Sequence, residues 1–358
     1  MKAPRQVAGR MRRARALAGL VAALAAGQAA AGAEGRLVLE NDAVRVAVDP
    51  AVGRVMEFTP KTGAAGARRN RLWTNDARAL EREAAQAGYR NWGGDKVWPV
   101  AQPFWRFALG RIWPPDTATD GAAAAAERVS PRRVRLVFPP SAAFGSRLTR
   151  EFELDATQAV LTIRNHIEQM AASPFPAQVW SITQVPLPER VLLDVAEENP
   201  PGLEQPVNLN AIRGLGPQAF LDGTVATGAG WAGMRPTREG QQKFGTLGRW
   251  IAGVWPDGVL VQRVALESQG MYPEATSLQF YYSGPYGELE TLGPARPLRA
   301  GEGLTTTVVW QWLEDVDPAL GDVELVQAIE AAEREPAGPD GRRAPGAASD
   351  VSASNSQP

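Results

Sequence analysis

The sequence contains no cysteine, a single histidine, His166, and four lysines, Lys2, Lys61, Lys96 and Lys243. Each scarcity removes a class of chemistry. Without thiols the chain has no disulfide, thiolate nucleophile or thiolate metal ligand. One imidazole does not make the clustered nitrogen sites that hold zinc or copper. Only an oxygen-ligated calcium site stays open, and neither a metal nor another cofactor is expected. Positive charge is also not concentrated: 38 Lys and Arg stand against 39 Asp and Glu, for a net charge of −1. Neither nucleic acid nor an anionic membrane surface is therefore implied as a partner. Gly214-Leu215-Gly216 and Gly228-Ala229-Gly230 lack the strand-to-helix setting of a nucleotide loop. A small or neutral ligand is the default.

The basic residues that do cluster lie at the start. Lys2, Arg5, Arg10, Arg12, Arg13 and Arg15 precede an Ala/Leu/Val stretch that ends in Ala31-Gly32-Ala33, the layout of an exported protein's leader. Cleavage is expected after Ala33, giving a periplasmic or extracellular protein with no membrane attachment once the leader, residues 1–33, is removed. The stretch is broken by Gly19, Gly27 and Gln28 and is short for a membrane span. About 300 residues then remain, near the upper limit of one hydrophobic core.

Short alternating strands dominate them. Arg36–Glu40 leads into the Asn41-Asp42 turn, and Val44, Val46 and Val48 alternate with Arg45 and Ala47. Further strands are expected at Arg133–Phe138, Arg147–Leu154, Ala159–Asn165, Gln178–Val185, Arg190–Val195, Arg249–Trp255, Val259–Leu266, Ser277–Tyr282, Gly287–Leu292 and Leu304–Leu313. Many strands without alternating long helices point to an all-β sandwich over residues 34–320. Helical periodicity is confined to Ala77–Ala87 and to Asp322–Arg334, where Val323, Val326 and Ile329 share a face. From Pro336 to Pro358 the Pro, Gly, Ser and Ala content predicts a disordered tail.

One segment stands apart from this pattern. Tyr89-Arg90-Asn91-Trp92-Gly93-Gly94-Asp95-Lys96-Val97-Trp98-Pro99 combines adjacent glycines, which permit close backbone approach, with indoles and an acid–base pair. It is either a tight Trp-packed turn or the floor of a ligand pocket. In the second case Arg90, Asn91, Asp95 and Lys96 bind polar groups while Trp92 and Trp98 stack on apolar ones. Trp105 and Trp113 follow closely. Arg238–Gly245, which carries Lys243, is a second polar, glycine-flanked segment, readable as a solvated loop or as part of the same cleft. Where arginine is so strongly favoured, a retained lysine is either a chance survivor or a place where a compact ammonium differs from a guanidinium fork. Lys96, Lys243 and Arg90 together suit a carboxylate or phosphate on the ligand.

Leu39–Val55, with its strand pair, glycine and third strand, resembles the first hairpin of galactose mutarotase-like domains. Tyr286-Gly287-Glu288-Leu289-Glu290-Thr291-Leu292-Gly293-Pro294, followed by Pro297-Leu298 and Val309-Trp310, is similar to the closing strands of that superfamily. With Gly93–Pro99 between them, the chain resembles an uncharacterised bacterial family inside it. The resemblance implies an antiparallel β-supersandwich with few short helices and a sugar cleft. It also implies a mechanism, in which a base takes the anomeric hydroxyl proton and an acid protonates the ring oxygen. Glu290 matches the base. Glu288, two residues earlier on the same strand face, joins it as a carboxylate neighbour. The expected catalytic histidine is replaced near Trp180, so Lys96 or a tyrosine such as Tyr281 would have to donate the proton, and Lys96 would do so only if burial lowers its pKa. The expectation is an exported protein that recognises an aldose, an acidic sugar or an oligosaccharide. The alternatives are an aldose 1-epimerase-like enzyme and, further off, a glycosidase-like carboxylate pair.

Overall fold

Alternation of buried and accessible side chains folds most of this chain. Along Ser146–Leu154 every second residue is buried, from Ser146 through Leu148, Arg150 and Phe152 to Leu154. That is the period of a strand with one face on a core, and Val160–Gln169 repeats it. The structure, a computed structural model, describes residues 35–61, 68–75, 89–196 and 224–333. The expected leader, the helix at 77–87, the Gly214–Gly216 run and the tail from 336 lie outside the described residues.

In chain order the strands are β1 Leu37–Glu40, β2 Val44–Asp49, β3 Arg54–Pro60, β4 Asp95–Trp98, β5 Ala125–Ser130, β6 Arg133–Val137, β7 Ser146–Leu154, β8 Val160–Gln169 and β9 Trp180–Pro186. They continue as β10 Arg190–Asp194, β11 Val225–Gly228, β12 Trp231–Met234, β13 Gln241–Thr246, β14 Trp250–Trp255, β15 Gly258–Val264, β16 Leu278–Ser283, β17 Tyr286–Leu292 and β18 Gly303–Leu313. An eight-stranded sheet runs β1-β2-β3-β4-β9-β17-β16-β13, and a ten-stranded sheet runs β11-β12-β10-β14-β15-β18-β8-β7-β6-β5. Their facing sides share a core that includes Val46, Phe58, Phe152, Ile163, Phe280 and Trp310. The outer side of β10, β14 and β15 is covered by the helix Asp322–Glu333, whose Leu325, Val326 and Ile329 join Trp250, Val254 and Val261. Val323, expected on that face, is 53% accessible. The stripe is centred on Leu325 and Ile329, and Val323 falls outside it at 3.6 residues per turn. No helix among the described residues is long and apolar enough to cross a membrane.

Five strands lie outside those expected from sequence: β4, β5, β11, β12 and β13. All four residues of β4 are buried, which leaves no alternation to see, and β5 is an accessible, alanine-led edge. Ahead of β4, Gly93 and Gly94 have φ of 79° and 72°. The backbone at Trp73 and Val55 occupies the space a β-carbon would need at each. Glycine is therefore required twice.

A buried polar tie crosses between the sheets. Arg150 of β7 forms an ion pair with Asp95 of β4, and its Nε donates to Asn165 Oδ1 at 2.9 Å. The second Asp95 oxygen accepts from Thr183 Oγ1 at 2.9 Å and Ser181 Oγ at 3.3 Å. Both charged side chains are fully buried, so each is the other's compensation.

Candidate functional site

Five neighbouring strands of the eight-stranded sheet aim their remaining alternate side chains outward, away from the shared core. β4 contributes Lys96 and Trp98, β9 Trp180 and Gln184, β17 Glu288 and Glu290, β16 Tyr281, and β13 Lys243. Strand register places Gln184, Glu288, Tyr281 and Lys243 in one cross-strand row. The adjacent row holds Lys96, Ile182 and Glu290. Tyr89, Asn91, Gln102, Trp113 and Tyr286 complete the lining of a hollow of about 430 Å³. A second cavity, of about 280 Å³, lies beside Asp257 and Trp312. Its Asp257 is already paired with Arg69 and Arg71, and it gathers no comparable set of groups.

The charges in the larger hollow pair across the rows. Lys96 Nζ lies 3.8 Å from Glu288 Oε1, and Lys243 Nζ lies 3.0 Å from Glu290 Oε2. By register alone each lysine shares a row with the other glutamate. Neutral donors add to this. Trp180 Nε1 donates to Glu290 Oε2 at 2.7 Å and Gln184 Nε2 to Glu288 Oε1 at 2.8 Å. The Gln184 Oε1 atom is buried with no hydrogen-bond partner among the described residues. Lys96 Nζ sits 4.8 Å from the Trp98 ring centre and Lys243 Nζ 4.5 Å from that of Trp180, within cation–π range.

Burial pushes the Glu290 carboxyl up to about 7; Lys243 opposes the shift and Glu288 adds to it. Desolvation works against the charge on Lys96, but Tyr89 and Glu288 outweigh it and hold the ammonium above the ordinary lysine value. Lys243 is raised as well, with burial opposing and Glu290 the largest favourable influence. Burial also raises the Tyr89 phenol. The hollow thus holds one carboxyl able to change protonation near neutrality beside two persistent cations. Among the described residues no group of three or more His, Asp or Glu is placed to hold a metal ion.

Two antiparallel sheets in this strand order form a galactose mutarotase-like fold. Solved structures of this class share the fold. A galactose mutarotase-like protein from Lactobacillus casei ATCC 334 superposes with a TM-score of 0.50 at 12% identity, over 78% of this chain and 100% of that one. A protein proposed to be an aldose 1-epimerase, from Klebsiella pneumoniae subsp. pneumoniae MGH 78578, gives a TM-score of 0.51 at 10% identity over 84% and 85%. More particularly, the chain belongs to the family described as a domain of unknown function, DUF4380, whose pattern matches residues 35–313. No curated protein matches it.

Of the residues singled out from sequence, the structure brings Glu290, Lys96, Asn91, Trp98, Lys243 and Glu288 to the hollow. Three others are placed elsewhere. Asp95 faces the core and Arg150, because neighbours in a strand point to opposite sides and Lys96 takes the outer one. Arg90 is exposed, with its guanidinium 5.7 Å from the Trp92 ring centre. Trp92 packs near Gly121. The segment around Lys243, open between loop and cleft, forms strand β13. His166 lies on β8 of the other sheet and contacts Thr305 Oγ1 at 2.8 Å. Gln184, Gln102 and Tyr286 join the site without having been singled out from sequence. Gln184 and Tyr286 were accessible to sequence reasoning, since Gln184 stands four residues beyond Trp180 and Tyr286 two before Glu288 on the same strand faces, whereas Gln102 carries no sequence signal.

Proposed function

We propose that this protein recognises a carbohydrate in the hollow on its eight-stranded sheet. The observation that carries this reading is the coexistence, in one space, of the accessible indole of Trp113 with two lysine–glutamate pairs. Pyranose rings offer both counterparts, with C–H faces for aromatic rings and hydroxyls for charged and amide groups. Gln184, which lines the hollow and donates to Glu288, holds that carboxylate in place for ligand hydroxyls. Because each lysine already has its carboxylate, the hollow favours an uncharged aldose over an acidic one. The arginine-rich start and the Ala-Gly-Ala sequence support export, which sizing of the secreted protein would test. The carbohydrate reading is tested by intrinsic tryptophan fluorescence against neutral and acidic sugars. Saturable quenching is expected, and no response to any sugar would reject it.

A second reading, aldose 1-epimerase-like catalysis, is favoured by Glu290. Its carboxylate, available above about pH 7, would take the anomeric O–H proton while a donor protonates the ring oxygen. The ring then opens and closes on the other carbonyl face. Lys96, held as an ammonium, is better suited to steady developing charge than to give up a proton. Tyr281, whose hydroxyl accepts from Gln241 Nε2 at 2.9 Å, is the donor this arrangement offers. NMR of anomer interconversion decides: Glu290→Gln should abolish any acceleration while binding persists. Binding with no acceleration in the unaltered protein would leave a recognition module.

A further inference from the structure

Resting on the carbohydrate reading above, we infer that the hollow receives the end of a sugar chain: the terminal ring meets the lysine–glutamate groups and the next ring lies against Trp113. The three indoles in the lining are not equivalent. Trp98 and Trp180 are 5% and 1% accessible, sealed into the wall with their N–H groups bonded to Asp120 and Glu290. Trp113 lines the same space and yet is 45% accessible. It is also held in place. Its ring meets Tyr89 edge-on at 4.7 Å between centres and is near-parallel to Trp105 at 6.4 Å.

A large aromatic face fixed by its neighbours loses little freedom on binding, and an accessible indole in the lining of a pocket is the kind of apolar face that holds a ligand there. One pyranose engaged with Glu288, Glu290, Lys96 and Lys243 covers that face only in part. Two linked rings cover it. The volume of about 430 Å³ falls within the range of about 300–1,000 Å³ typical of sites for drug-sized ligands.

The test is isothermal titration of the whole chain with glucose, galactose and mannose and with their α1,4- and β1,4-linked di- and trisaccharides. In at least one series the disaccharide should bind about tenfold more tightly than its monomer, equivalent to about 1.4 kcal/mol. Trp113→Ala should weaken the disaccharide about tenfold more than it weakens the monomer, removing the gain from the second ring, while Trp113→Phe keeps most of that gain. If monomer and longer chains bind alike, or if Trp113→Ala weakens both equally, the chain-end inference is overturned and the carbohydrate reading stands. Absence of binding by every saccharide would reject both. Should Trp113→Ala not fold, the step from monomer to disaccharide in the unaltered protein, with Trp113→Phe beside it, decides between these outcomes.

Discussion

Glu290 shows how one side chain links stability to protonation. An acid held above its ordinary value of 4.5 binds its proton more tightly in the folded than in the unfolded chain. The stability this contributes is fully present below about pH 4.5 and is lost as pH rises to about 7, by on the order of 3 kcal/mol. Glu290→Gln, a stand-in for the protonated acid, should flatten that slope. Melting curves at pH 5 and pH 8 should show the variant gaining on the natural chain at the higher pH; parallel behaviour would contradict the assigned burial. At this scale the sequence is only partly legible. Glu288 and Glu290 can be placed together because a period of two fixes their common face, and the same rule separates Asp95 from Lys96. It has no purchase there until Asp95–Trp98, which follows two glycines and reads as a loop, is known to be a strand.

Strand β4 carries the tie between the sheets on one side and the hollow on the other. Removing the Asp95 carboxylate leaves Arg150 charged, buried and without its counterion, a loss of about 3–5 kcal/mol in comparable cases. Urea unfolding should show Asp95→Ala destabilised by that order, with much of the loss recovered when Arg150→Met is added. No recovery would mean that Asn165, Ser181 and Thr183 need the arginine as much as it needs Asp95. Strands such as β7 and β8, with one face dry and the other lined by Arg147, Glu151, Glu153 and Arg164, announce themselves by alternation. Wholly buried strands such as β4 and β14 do not, and β14 is marked by its hydrophobic run alone. Lys243 sits on a strand whose first residues are accessible and polar, which disguises β13 as a loop.

Across the whole molecule, the C-terminal helix and the hollow belong to different sheets. Ile329, fully buried under β14 and β15, is expected to cost about 2–5 kcal/mol when cut to alanine. Saccharide affinity of the folded variant should not change, since well-separated sites act nearly independently. A parallel loss of affinity measured by fluorescence titration would show that the two sheets are coupled. The overall architecture is legible because strand count and spacing survive local misreadings; the meeting of β4, β9, β17, β16 and β13 in space is not, since pairing order leaves no mark in a linear pattern. The eight-stranded sheet is a single peptide layer, with Leu289 and Val97 facing inward and Glu290 and Lys96 outward. Scaffold and recognition are thus written on alternate positions of the same strands. A lineage can exchange the outward letters and change what the protein grips, while the inward letters continue to spell the same fold.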